Sequence, residues 1–185
     1  MLEREEYIIK EAQRGDRACY GLLYNHYVAP IYRFIYLKVS NREASEDLTH
    51  EVFLAAWQNL GRYRPQGFPF SSWLYQIARN RVIDHYRVHK QHQPIESADA
   101  TLTAAPSGIE DRLDENLNLQ KITSVLHKLS HDQQDVLIMK FVEDLSHAEI
   151  AQAMRKSEGA VRLIQHRAIQ RLKQMVVRTT QPEIA

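Results

Sequence analysis

Between Gly61 and His92, guanidinium groups stand among aromatic rings. Arg62, Tyr63, Arg64 and Phe68 fall in one short loop, and Trp73, Arg79, Arg81, Tyr86 and Arg87 follow in one periodic stretch. A ring gives an unpaired base a face to stack on, and a neighbouring cation neutralises its phosphate, so this mixture suits single-stranded nucleic acid. Asn80 and Asp84 add hydrogen-bonding groups, while Trp73 and Leu74 serve a helix core equally well. The basic residues Arg62, Arg64, Arg79, Arg81, Arg87 and Lys90 are opposed there by Asp84 alone. A second island, Arg155, Lys156, Arg162, Arg167, Arg171, Lys173 and Arg178, is opposed by Glu158 alone. The formal net charge of +1 averages over this pattern, because the acids gather in 43–51 and 96–115. Two cationic islands separated by acidic ground predict two contacts with one polyanion; solvated helix faces are the plainer alternative.

Directly before the first island lies an acidic, apolar run with helical spacing. Leu48, Val52, Ala56 and Leu60 form one stripe, thickened by Phe53 and Trp57. Asp47, Glu51, Leu54 and Gln58 line up on another side at intervals of four, three and four, with Glu46 beside them. Carboxylates around one exposed leucine make a docking face for a basic helical partner. A surface for protein is thus predicted one loop away from a surface for nucleic acid.

Catalysis finds little support. The sequence has no Gly-rich phosphate loop and no nucleophile with a base nearby, so no catalytic residue and no cofactor is expected. His85, His89 and His92 have spacings that could place two imidazoles on one metal, but their surroundings are basic and no further ligand cluster adjoins them, so no metal site is expected. The single cysteine, Cys19, cannot form an internal disulfide and reads as a small core residue, in keeping with a reducing cytoplasm. No apolar run approaches the roughly 20 residues of a membrane span, and the charged start Met-Leu-Glu-Arg-Glu-Glu-Tyr does not read as a signal peptide.

The elements that must hold these groups read as helices throughout, since no window sustains strand alternation. A short helix over Glu3–Arg14 is broken by Gly15, and Asp16 caps the next. That second helix carries Leu22, Leu23, Tyr27, Ile31, Phe34 and Ile35, with a kink or break expected near Val28 because Pro30 lies inside it. Ser40 and Glu43 have capping-box spacing before the acidic helix. The turn-rich loop Gly61–Pro69 and the aromatic helix from Phe70 to Arg87 complete a first domain, 1–92. From Gln93 periodicity stops, and 93–112 reads as a flexible acidic linker.

A second helical domain is expected over 113–178, followed by a tail, 179–185. Leu119, Ile122, Val125, Leu126 and Leu129 mark its first helix. Ser130 with Gln133, and Ser146 with Glu149, are capping boxes opening the next two. Arg155-Lys156-Ser157 reads as a tight turn with Ser157 as N-cap. The last helix, Glu158–Val177, has Val161, Ile164, Ala168, Leu172 and Met175 as its buried stripe. Short helix, tight turn and longer basic helix predict a helix-turn-helix that inserts its second helix into a major groove. Glu158, Arg162, Gln165 and His166 are the candidate base readers, and Arg155, Lys156, Arg167 and Arg171 the candidate phosphate contacts.

Taken in this order, the residues resemble the bacterial sigma factors of the extracytoplasmic-function (ECF) type, the two-domain form of the sigma-70 family. The resemblance runs from Ala12 to about Lys173. It is strongest in Ser-Glu-Asp-Leu-Thr-His-Glu-Val-Phe-Leu-Ala-Ala-Trp (45–57) and Phe-Ser-Ser-Trp-Leu-Tyr-Gln-Ile-Ala-Arg-Asn (70–80), and it returns in 145–151 and 158–162. It implies an all-α protein of two small domains, region 2 and region 4. Glu46, Asp47, Glu51, Leu54 and Gln58 would then face the clamp helices of the β′ subunit of core RNA polymerase. The loop and helix bearing Arg62, Tyr63, Arg64, Phe68, Trp73, Arg79, Asn80, Arg81, Asp84 and Arg87 would recognise and melt the −10 element. Arg155, Lys156, Ser157, Glu158, Arg162, Gln165, His166, Arg167 and Arg171 would read the −35 duplex, beside a contact with the β flap. An anti-sigma factor as regulator and a cytoplasmic location are also implied.

Two departures from the family pattern stand out. His50 occupies a position where relatives commonly carry Gln, and Leu163 and Ile164 follow Arg162 where Ser-Arg is frequent. An ordinary helix-turn-helix regulator with an N-terminal sensor domain remains the alternative; it would bind duplex DNA without polymerase.

Overall fold

The computed structural model describes residues 4–65, 67–92 and 121–180, and the side chains of all of these except 89–92 and 176–180. The expected linker 93–112 and tail lie outside the described residues, as do the side chains of Lys90, Arg178, His89 and His92. Among the described residues every regular element is helical. They form two compact units, each built round its own core.

The first unit holds α1 (Glu5–Gln13), α2 (Arg17–Val39), α3 (Arg42–Asn59), a 3-10 turn (Leu60–Arg62) and α4 (Phe70–His92). α2 is the central element: α1, α3 and α4 all pack against it, and α3 packs on α4. Its inward residues Leu23, Ile31, Phe34 and Ile35 are completely buried, and they meet Val52 and Ala56 of α3 and Leu74, Ala78 and Val82 of α4 in one core. Burial of each large aliphatic side chain contributes about 1.5–3 kcal/mol, which is what fixes the helices against one another.

Sequence and structure differ in the middle of α2 and at its C-terminal end. Asp16 caps it as expected, its carboxylate accepting from Ala18 N and Cys19 N. Pro30, however, does not break the helix, which runs unbroken to Val39. A proline inside a helix costs about 3 kcal/mol, and the buried side chains Tyr27, Ile31 and Phe34 on both sides of it offset that cost. At the other end Ser40 is not the cap of α3. It turns the chain in a left-handed conformation (φ 53°), and Asn41 caps α3 by accepting from Ala44 N at 2.9 Å.

Lys38 is fully buried, with its ammonium 5.5 Å from the centroid of the Phe34 ring. The Tyr86 hydroxyl donates to the Lys38 carbonyl, tying the C-terminal part of α4 to the end of α2. Within the core the Tyr27 hydroxyl donates to the Glu5 carboxylate.

The second unit holds a helical stretch at 121–126, α5 (His131–Phe141), α6 (His147–Met154) and α7 (Glu158–Thr180). All three expected caps are present. Ser130 and Gln133 bond reciprocally, as do Ser146 and Glu149, and Ser157 Oγ accepts from Ala160 N at 3.2 Å. The turn before α7 is made by Arg155 at φ 53°. Val136, Ile138 and Met139 of α5 pack with Val161 and Ala168 of α7. Ile122, expected inside, is 52% exposed, whereas Leu126 and Leu129 are buried as expected, and Thr123 is buried with them.

Candidate protein and nucleic-acid interfaces

The acidic face of α3 follows from helix geometry. Its apolar stripe is drawn into the core, so residues at i, i+4, i+7 and i+11 on the other side must face solvent. Glu46, Asp47, Glu51, Leu54 and Gln58 are all exposed, with Leu54 the apolar group among the acids, and His50 stands with them. Glu46 is held by Arg42, whose Nε donates to Oε1 at 2.8 Å. Glu51 Oε2 lies 3.8 Å from Arg81 Nη1 of α4.

The loop after α3 is anchored from α1. Gln13 Nε2 donates to the carbonyls of Leu60 (3.0 Å) and Tyr63 (2.8 Å), so the side chain straps the 3-10 turn to the first helix. Arg64 Nη1 donates to the carbonyls of Gly61 and Tyr63, spending part of its guanidinium on its own loop. Tyr63 is not an exposed stacking platform: its ring is buried, edge-on to Phe70 at 5.2 Å and tilted against Trp73 at 4.9 Å. Burial pushes its phenol up to about 12, with the Glu5 and Glu6 carboxylates adding to the shift. Apolar contact with two further rings outweighs exposure for an aromatic side chain of this size. Trp73 and Phe68 are half-buried and keep part of their rings at the surface.

On α4 the exposed centre is Asn80, Asp84 and Arg87, at i, i+4 and i+7, with half-buried Arg79 and Arg81 on its two edges. Arg87 pairs with Asp84 at 3.4 Å. Arg62 and Arg64 stay exposed on the loop. Cationic groups, amide donors and the edges of two rings are therefore held on one unit, as stacking and phosphate contact require.

On the second unit Arg155, Lys156, Ser157, Glu158, Arg162, His166, Arg167 and Arg171 are exposed. Lys156 Nζ lies 3.2 Å from Asp132 Oδ2, and Arg162 Nη2 lies 3.4 Å from Glu158 Oε2. Gln165 is not outward-facing. It is half-buried, and its Oε1 lies 2.6 Å from His147 Nε2 at the start of α6. At about 100° per residue Gln165 sits only some 40° from Val161, which is fully buried, so helix phase turns it inward. The same phase puts Leu163 in the middle of the outward face, 49% exposed. In the sequence Leu163 stands out only as a departure from the family pattern, with no direction assigned to it, and Gln13, His147 and Asp132 carry no role there. The wheel position alone was signal enough for Leu163, whereas the other three act through contacts between elements.

Among the described residues no group of three or more His, Cys, Asp or Glu is placed to hold a metal ion, and no helix is long and apolar enough to cross a membrane.

Comparison with known proteins agrees with both units. The family model for sigma-70 region 2 matches residues 23–92, and that for sigma-70 region 4 matches residues 125–174. The ECF RNA polymerase sigma factor SigD of Mycobacterium tuberculosis is 33% identical over 95% of this chain and 85% of its own length. The ECF RNA polymerase sigma factor BldN of Streptomyces coelicolor is 32% identical over 91% of this chain, which spans 64% of that protein's length. In fold, the chain is similar to CnrH, solved with the cytosolic domain of CnrY, at a TM-score of 0.74 with 21% identity over 93% of this chain and 96% of that one. It is similar also to the sigma factor RpoE of Bartonella quintana, solved with the anti-sigma factor NepR, at a TM-score of 0.65 with 22% identity over 84% of this chain and 95% of that one. With regions 2 and 4 present in order and relatives of this identity along nearly its whole length, the chain belongs to the ECF RNA polymerase sigma factors of the sigma-70 family.

Proposed function

We propose that this protein is a promoter-specificity subunit, one that binds core RNA polymerase and directs initiation by reading a −10 and a −35 element. The observation that carries the reading is the adjacency of two unlike surfaces on one rigid unit. The exposed acids of α3 stand beside the cationic, aromatic-edged surface of α4, with Glu51 and Arg81 at their border.

In this reading residues 1–92 form the polymerase-docking and −10 domain, 113–178 the −35 domain, and 93–112 the linker. Glu46, Asp47, Glu51, Leu54 and Gln58 meet the clamp helices of β′, where complementary charge steers assembly and Leu54 adds apolar contact. Arg62, Arg64, Arg79, Asn80, Arg81, Asp84 and Arg87 line the opened −10 strand, with the edges of Phe68 and Trp73 offered to unstacked bases. Protein contacts then compensate for lost base stacking, so melting draws on binding energy rather than on nucleotide hydrolysis. Tyr63 supports this surface from beneath. Arg155, Lys156, Arg167 and Arg171 contact −35 phosphates around Ser157 and the start of α7. Glu158, Arg162 and His166 face the base edges, and the β flap is the polymerase contact of this domain. The protein is a cytoplasmic initiation factor rather than an enzyme. An anti-sigma factor as its regulator is supported by the solved complex of RpoE, a protein of similar fold, with the anti-sigma factor NepR.

Transcription by purified core polymerase on promoter fragments selected from genomic DNA tests the proposal. Initiation that depends on the protein supports it; duplex binding without any stimulation of polymerase would favour an ordinary helix-turn-helix regulator.

A further inference from the structure

The outward face of α7 carries a side chain that its charge pattern does not account for. Leu163 is 49% exposed and lies on the side of the helix opposite buried Val161 and Ala168. Exposed Arg162, His166 and Arg167 surround it. One turn earlier on the same face is Gly159, where even an added Cβ would meet no atom within 4 Å. A helical side chain leans toward the N-terminus over the turn before its own Cα. Gly159 thus leaves the turn before Leu163 without a side chain, between it and the end of α7 capped by Ser157.

An exposed leucine gains from water-free contact, and its neighbours say what kind of surface provides it. Arg155, Arg162 and Arg167 make a cationic rim. A second copy of this face would be repelled by that rim, and an uncharged apolar groove would leave the rim unmatched. A polyanion matches it, provided that an apolar group lies within reach between the phosphates. Duplex DNA has one: the C5-methyl of thymine, which projects into the major groove and is read by apolar contact.

We propose that Leu163 is a specificity-determining residue of α7 that reads the methyl group of one thymine in the −35 element. The inference rests on the proposed insertion of α7 into a major groove. Leu163 supplies shape and apolar surface there, while Arg162 and His166 at its side supply hydrogen-bond donors.

The test uses the full chain assembled with core polymerase. A preferred −35 duplex is first selected from a randomised pool, and each thymine in it is then replaced singly by deoxyuridine, which lacks only the methyl. Wild-type holoenzyme should lose affinity about fourfold at one position, the worth of one buried methyl group. Leu163→Ala, which alters an exposed side chain and leaves the core intact, should bind dT and dU equally at that position. A wild type indifferent to every dT-to-dU change, a selected element without thymine, or a Leu163→Ala variant that still distinguishes the two bases would each overturn the inference. In all three cases selection of a preferred element would leave the duplex-reading role of α7 standing. Failure to select any preferred element would instead remove that role, and the inference with it. Weakened assembly of Leu163→Ala with polymerase at unchanged dT/dU discrimination would assign the leucine to a protein contact and contradict the proposal.

Discussion

Arg81 Nη1 of α4 lies 3.8 Å from Glu51 Oε2 of α3, and both side chains are roughly half exposed. The pair joins the proposed polymerase-docking face to the proposed −10 face. An exposed pair at this distance contributes about 0–1 kcal/mol to stability, so its position matters more than its strength. Glu51→Gln and Arg81→Gln should change the thermal midpoint by little, singly or together. Glu51→Gln should nonetheless weaken binding of a single-stranded −10 oligonucleotide less than Arg81→Gln does. Equal losses from both, measured by fluorescence anisotropy, would contradict separate roles for the two residues.

Gln13 straps the 3-10 turn to α1 through two carbonyls. Gln13→Ala should destabilise the first unit by about 1–3 kcal/mol, because two part-buried acceptors lose their donor. Binding of −10 single strands should weaken as the loop after the turn gains freedom, although Gln13 itself is proposed to touch no DNA. Urea denaturation and oligonucleotide titration of the same variant check both effects.

Burial pushes the phenols of Tyr20 and Tyr63 up to about 12, against an ordinary value near 10. Between those values the unfolded chain releases phenolic protons that the folded chain retains. The unfolded state therefore gains, and stability that is fully present below pH of about 10 is lost as pH rises toward 12. Tyr63→Phe should reduce the loss between about pH 9 and 11, by on the order of 1 kcal/mol, and leave stability at neutral pH little changed. Tyr63→Ala should cost about 3–5 kcal/mol at any pH by emptying the space beside Phe70 and Trp73. Denaturant midpoints for the two variants across this range decide whether Tyr63 belongs to the core.

Lys156 is held at 3.2 Å by Asp132. Asp132→Asn should free the ammonium and raise duplex affinity across sequences, with a steeper salt dependence, whereas Lys156→Gln should lower affinity and flatten that dependence. Arg162→Gln should act differently, with a loss of roughly 1–3 kcal/mol that depends on sequence. Gel-shift titrations at several salt concentrations on specific and random duplexes separate the three.

The fold was legible where the signal is local. Asp16, Ser130, Ser146 and Ser157 cap their helices because a short oxygen-bearing side chain three residues before an acid or a free N–H has few other uses. The acidic face of α3 was legible because an apolar stripe fixes the phase of a whole helix. Errors arose where tertiary contact overrode a local rule. Pro30 is carried inside α2 by the core on either side of it, and Tyr63, polar by its hydroxyl and set among arginines, is drawn under Phe70 and Trp73. Gln165 differs for another reason: its polarity points it outward, while helix phase sends the amide inward. Lys38 had no local signal at all, since only the packing of α2 puts its ammonium near the Phe34 ring.

The central claim is that the acidic face of α3 holds polymerase while the rest of the chain selects the promoter. Multi-round run-off transcription with purified core polymerase tests it most directly, comparing wild type with Asp47→Lys/Glu51→Lys on one selected promoter. Wild type should produce a transcript of defined start, and the double variant, folded and with unchanged −35 duplex binding, should lose at least tenfold in yield through lost assembly. Equal transcript from both proteins would contradict the docking assignment, and no transcript from wild type on any selected fragment would contradict the account as a whole.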